Sequence, residues 1–230
     1  MDTTYHAPVA ALDTDTRADF ILRTYMHLLG AMLLFAGVEY LFFLSGWAEP
    51  MANAMLGTNW LFVLGAFMVV GWLASSVAHR VESLPMQYLA LGGFVVAEAI
   101  IFVPMLFIAM YYSGDPGIIS KAAWVTVLGF AGLTAVAFYS RKDFTFLGSV
   151  LRWAFVVALV AIVAAVLFGF ELGTWFSVAM IGLAGAAILY DTSKVMHHYP
   201  EDRYVAASLE LFASVALMFW YVLRLFMSRD

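Results

Sequence analysis

Residues 204–226 read YVAASLELFASVALMFWYVLRLF. Crossing a hydrocarbon core takes about 20 apolar residues in a helix, and this run is long enough. It also carries an acid, Glu210, inside it. The preceding apolar run ends GLAGAAILYD (182–191), so Asp191 closes one stretch and Glu210 lies in the next, across a short polar turn. An ionised acid at a helix centre in lipid costs about 2.5–3.5 kcal/mol on insertion scales. Acids kept in such places face a bundle interior, a partner or a water cavity. This pair is therefore the first place to look for a function.

Outward from it, the whole chain reads the same way. Seven apolar stretches appear, at roughly 22–45, 60–78, 86–112, 122–139, 150–170, 174–191 and 204–226. The composition is 64% hydrophobic and 12% charged, against about 25% charged for an ordinary soluble domain. The predicted class is an all-α integral membrane protein with seven transmembrane helices. The breaks carry turn residues and charge: WAEPMANAMLGTN (47–59), HRVESLP (79–85), SGDPGIISK (113–121), SRKDFTFLGS (140–149) and TSKVMHHYPEDR (192–203). ELG (171–173) is so short that spans five and six must form a tight antiparallel hairpin. Residues 1–21 read as a polar N-terminal tail, without the basic and apolar regions of a cleaved signal, and 22–230 as the transmembrane domain. The absence of cysteine excludes disulfides and Cys-ligated metals. A net charge of −5 gives no face for nucleic acid. Phosphate loops, nucleophile elbows, zinc motifs and dinucleotide fingerprints are all missing, so the sequence supports no enzymatic chemistry and no cofactor.

Orientation follows from Lys and Arg. With the N-terminus inside, eight of the 11 basic residues, from Arg17 to Arg203, fall on the inner side, against Lys121, Arg224 and Arg229 outside. Asp191, Glu210 and Arg80 then share the inner half of the membrane. Asp191 either ends its helix at the interface or takes part in a site. Glu210 and Ser214, spaced i, i+4, share a face. Small residues on both helices (Gly182, Ala184, Gly185 and Ala186; Ala206, Ala207 and Ala213) allow close approach. Glu98 lies near mid-membrane, about 18 Å from its helix start, with Pro104 six residues on. It is either a protonated acid bonded to a neighbouring helix or part of an ion path. Glu39 lies nearer the outer interface. His197 and His198 are adjacent rather than spaced like metal ligands. The tryptophans, among them Trp47, Trp60, Trp153, Trp175 and Trp220, fit interfacial belts.

The chain resembles the Bax inhibitor family, also called the transmembrane Bax inhibitor motif family. ILYDTSKVMHH (188–198) is similar to the family's segment ending helix six, and YVAASLELFASVALMFWYVLRLF to its last helix. SRKDFTFLGS is similar to its charged loop after helix four, and Pro104 to its helix-three proline. The resemblance implies a bundle with helix seven central, surrounded by the other six. In bacterial relatives acting as pH-sensitive calcium leaks, an aspartate ending helix six pairs with one in helix seven, and an arginine from helix two latches the first. Asp191 matches the former and Arg80 approximately matches the arginine. The helix-seven aspartate falls on Ser214, a departure, and Glu210 stands one turn earlier.

The expectation is a pH-sensitive calcium or cation leak. Asp191, Glu210 and Arg80 would be its gating residues, Glu98 and Ser214 would lie on an ion path, and the two acids would hold calcium weakly and transiently. Serine at 214 also resembles the proteobacterial inner-membrane branch that modulates the FtsH protease complex. That implies a partner role, and a bacterial inner membrane with the N-terminus cytoplasmic and the C-terminus outside.

Overall fold

The computed structural model describes residues 8–80 and 83–228. Eight helices follow in order: α1 (Thr14–Leu44), α2 (Ala48–Leu56), α3 (Trp60–Arg80), α4 (Leu84–Tyr112), α5 (Ile118–Ser140), α6 (Leu147–Phe168), α7 (Gly173–His197) and α8 (Tyr204–Met227). Seven of them are long and apolar enough to span a membrane; α2 is the short exception. Among the described residues the β-type pairing is one isolated bridge, Pro8 to Pro200.

Three boundaries differ from the sequence expectation. The charged stretch before residue 22 is not all tail. α1 begins at Thr14 because Asp13 caps it, its carboxylate accepting from the Asp15 and Thr16 backbone N–H groups at 3.1 and 3.0 Å. An i, i+4 pair between Asp19 and Arg23, at 2.8 Å, then braces the exposed turns. The segment 47–59 is not a plain loop but contains α2, whose Pro50 sits in the first turn, where a missing N–H removes no helical bond. α7 does not stop at Asp191. Nothing in TSKVMH breaks a helix, and the chain turns only before Pro200.

The spans divide into inner and outer layers. In α8, 78% of the spanning window is buried and in α4 61%, against a third or less in the others. α8 packs against α1, α3, α4, α5 and α7. α6 docks chiefly on α7, through a close approach in which a Cβ on Gly148 would meet the Tyr190 ring at 2.8 Å. The α6–α7 connection is as short as the sequence implies, with Gly169 at φ 70° and Gly173 at φ 67° turning the chain where a side chain would be strained. α4 runs unbroken through the buried Pro104. Trp47, Trp153 and Trp175 are exposed as belt residues should be. Trp60 and Trp220 are instead half-buried and stack on each other at 6.1 Å, with Phe102 edge-on to Trp220.

The N-terminal segment is built into the bundle. Val9 is fully buried, and its N–H donates to the Tyr199 carbonyl at 2.8 Å, in the link between α7 and α8. Phe20 packs on the Tyr199 ring, centroids 6.3 Å apart.

Candidate functional site: a charge-balanced cluster between α3, α7 and α8

Because α7 runs on to His197, Asp191 lies six residues, about 9 Å, inside its C-terminus. Its face of α7 carries Lys194 one turn later, at i+3. Across from it, α8 starts at Tyr204 and presents Glu210 and Ser214. Ala206 and Ala207 on α8 and Ala184 and Gly185 on α7 are buried, which lets the two helices close on each other.

The two acids are both used, and differently. Asp191 is buried and accepts a hydrogen bond from the Ser214 hydroxyl at 2.6 Å. Glu210 is clamped on both oxygens. Lys194 Nζ donates to Oε2 at 2.5 Å, and His79 Nε2 lies 2.9 Å from Oε1. Asp191 also feels the charges of Glu210 and Lys194, so the four ionisable groups form one electrostatic unit. Two acids and two bases leave the unit without net charge when all are ionised. The Lys194 ammonium is further held over the Tyr199 and Tyr190 rings, at 4.9 and 5.4 Å.

His79 is fixed by geometry. Its Nδ1 lies 2.8 Å from the Ser75 carbonyl oxygen and its Nε2 faces the Glu210 carboxylate. Both oxygens accept only, so both ring nitrogens must donate while Glu210 is ionised. This contact therefore contains a proton that a neutral imidazole lacks. The Tyr199 hydroxyl lies 3.3 Å from the same Nε2. Burial pushes the Tyr199 phenol well above its ordinary value, the Glu210 charge adding to it, so the hydroxyl stays protonated.

Arg80, the expected latch, is not part of this unit. It is exposed, with no ion pair to a described residue. Adjacent helical residues point about 100° apart. On α3 the buried positions are Ala74 and Ala78, which leaves His79 at the edge of the packed face and Arg80 beyond it. Sequence reasoning missed His79 and Lys194, although two signals were present: the i, i+4 pair Ser75/His79, and Asp191/Lys194 at i, i+3 once α7 is allowed to continue. Ser214 belongs to the cluster. Glu98 is placed elsewhere, about 21 Å from the start of α4. It is buried, with no hydrogen bond or ion pair to a described residue. Glu39 is alike, both carboxylate oxygens buried and unpartnered among the described residues.

For a metal the arrangement is poor. Calcium takes six to eight oxygens, and no group of three His, Cys, Asp or Glu side chains converges among the described residues. The paired histidines diverge in role. His197 Nδ1 lies 3.0 Å from the Ser193 carbonyl, whereas His198 Nε2 pairs with Asp143 at 2.9 Å.

That second contact pins the loop between α5 and α6. Asp143 also accepts from Ser193 Oγ at 3.2 Å and the Thr145 N–H at 2.9 Å, and the Phe144 N–H donates to Ser193 Oγ at 2.9 Å. The Thr145 hydrogen bonds, with His198 beside them, hold the Asp143 carboxyl well below the usual carboxylate range. The folded protein holds this proton more weakly than an unfolded chain does. The stabilisation is therefore complete above the ordinary value of 3.8 and fades only as pH falls below it. Asp143→Asn removes it at every pH. Trypsin, which cuts after the exposed Arg141 and Lys142, should cleave that variant severalfold faster at neutral pH, with no change in cleavage elsewhere.

Comparison with known proteins agrees with this architecture. The family described as "Inhibitor of apoptosis-promoting Bax1" matches residues 17–230. A vaccinia virus (strain Lister) "Golgi anti-apoptotic protein" is 24% identical over 229 residues, covering 97% of this chain and 91% of the relative. The Campylobacter jejuni protein Cj0236c is 28% identical over 222 residues, 91% of this chain and 90% of its own. The Escherichia coli K12 "Modulator of FtsH protease YccA" is 33% identical over 124 residues, 52% of this chain and 56% of its own. With seven apolar spans, the acid–base cluster on its last helices and a family match over nearly its whole length, this chain belongs to the Bax inhibitor family.

Proposed function

We propose that this protein is a pH-sensitive leak for cations, calcium foremost, gated by the Asp191–Ser214–Glu210–Lys194–His79 cluster. The observation that carries the reading is the double clamp on Glu210. A carboxylate inside a membrane bundle is held by one cation from α7 and one from α3. In this closed arrangement the Lys194 ammonium occupies the place a passing cation would take. Protonating the carboxylates removes the charge that retains Lys194 and His79, which frees α3 and α7 from α8 and opens the path. Glu98 and Glu39, unpartnered among the described residues, continue that path toward the other face. Calcium is cargo here, held weakly and briefly by Asp191 and Glu210. The positive-inside bias supports a cytoplasmic N-terminus, and the bacterial relatives support an inner membrane.

Reconstitution in liposomes tests this. Calcium-dye flux should rise on acidification, and Asp191→Asn and Glu210→Gln should each flatten that pH response by at least fivefold. Wild-type flux and pH dependence in both variants would sink the proposal.

A second reading is a membrane partner that modulates the FtsH protease complex. The name of the E. coli relative favours it, over about half the chain. Its test is copurification with the protease from membranes, with and without residues 1–7. Deleting residues 1–20 would be uninformative, because Val9 is part of the core. Loss of copurification without residues 1–7, with flux unaltered, supports the partner role.

A further inference from the structure

The charged cluster is a poor seal. Lys194, His79 and Glu210 are all part-exposed, so water reaches the groups that respond to pH. What closes the bundle to an ion must lie deeper.

An aromatic layer stands there. Phe94 lies about 15 Å from the start of α4, with Glu98 four residues on and Phe102 four residues beyond that. Residues at i and i+4 share a face, and ring contacts place this face at the junction of α3, α4 and α8. Phe67 of α3 lies 5.9 Å from Phe94, and Phe212 of α8 meets it edge-on at 6.1 Å. Gly71, one turn from Phe67, brings the α3 backbone up to the same ring, where a Cβ would lie 3.5 Å from it. Phe94 and Phe212 are buried and Phe67 is half-buried. On the far side of Glu98, Phe102 stacks on Phe219 at 5.6 Å and meets Trp220 edge-on at 4.9 Å. Glu98 is thus flanked by two aromatic layers, each about 6 Å away along α4.

We propose that Phe94 is a hydrophobic gate: packed on Phe67 and Gly71, it closes the passage between the cluster and Glu98 until α3 moves. This rests on the leak reading above and names the residue that seals the leak.

The composition of the layer explains the block. Calcium exchanges its water for six to eight oxygens. A constriction of ring carbon offers it none, and such constrictions gate by dewetting. The position of α3 explains the release. This helix carries His79, which holds Glu210, and also Gly71 and Phe67, which cover Phe94. Gly71 is eight residues, about 12 Å, from His79. When Glu210 lets go of His79, the helix that loosens is the one closing over the ring.

Calcium-dye flux in liposomes at neutral pH tests the gate, using two replacements of nearly equal size and opposite polarity. Phe94→Asn should leak at least tenfold faster than the wild type and at least fivefold faster than Phe94→Leu. Phe67→Asn and Phe67→Leu should follow the same order, and they decide the matter should the buried Phe94 variants fail to fold. Phe176→Asn is the control. It cuts a similar ring contact, with Tyr221 at 5.9 Å, away from the layer, and it should stay as tight as the wild type. Equal leaks in the asparagine and leucine variants overturn the gate, because lost volume then opens the path. A leak in Phe176→Asn equal to that in Phe94→Asn overturns it too, as general loosening of the bundle. If the wild type passes calcium on acidification and the asparagine variants stay closed at neutral pH, the gate alone fails. If the wild type passes none at any pH, the leak reading fails and the gate with it.

Discussion

Lys194→Met should destabilise the protein by about 3 kcal/mol. Removing one partner of a buried ion pair costs about 3–5 kcal/mol, because the other charge is left in a poor solvent. The lower end applies because both side chains keep 23% of their exposure and Glu210 retains His79. For a chain of this size that is a fall in melting temperature of roughly 6–12 °C, read in detergent by intrinsic fluorescence. The decisive comparison is the double variant Lys194→Met/Glu210→Met. Replacing a whole buried pair by apolar side chains is often neutral, so the double variant should recover most of the loss. If it melts as low as the single variant, Lys194 acts through its aromatic contacts and not through Glu210. The two variants also differ in flux. Without its tethered ammonium, the single variant should leak calcium at neutral pH severalfold faster than the wild type. The double variant should show no pH response.

Glu98→Met is expected to change stability in the opposite direction. A carboxyl buried without a partner costs about 1–3 kcal/mol on protein mutational scales. Glu98 is buried on α4 beside the fully buried Val95 and Ala99, with no bond to a described residue. Methionine has nearly the same length and no polar group, so the variant should melt several degrees higher. An acid that lowers stability and is nonetheless present at mid-membrane fits a place on an ion path. Calcium flux in the same preparation should therefore fall at least tenfold. A stabilised protein with unaltered flux removes Glu98 from the path. A destabilised one shows that the carboxyl makes a bond in the folded state.

The sequence could be read for where the helices run and not for which side chains meet. The seven spans were legible because a membrane crossing is a matter of length and hydropathy, and both are printed in the chain. The location of Asp191 and Glu210 at one end of the bundle followed from the alternation of helices. Which groups touch did not follow. Arg80 has the charge expected of a latch, but the residue before it faces the cluster, and only the rotation of α3 decides between them. In the sequence Lys194 falls in the polar link 192–203, directly after Thr192 and Ser193. Both are instead fully buried on the inward face of α7, Ser193 bonded to the α5–α6 loop. The first turns of α1 were hidden for a similar reason, since Asp15, Arg17 and Asp19 have the composition of a tail and the capping of a helix.

The attachment of Val9 to Tyr199 has a practical side. Tyr199 is also the residue whose ring lies under Lys194 and whose hydroxyl reaches His79. A fluorescent protein, affinity tag or crosslinker fused ahead of Val9 therefore pulls on the segment that packs against the cluster. The same cargo placed after Met227 pulls on the far end of α8. Proteins tagged at the two ends should not be treated as interchangeable, and an N-terminal fusion whose melting temperature differs from that of its C-terminal counterpart is reporting on the cluster.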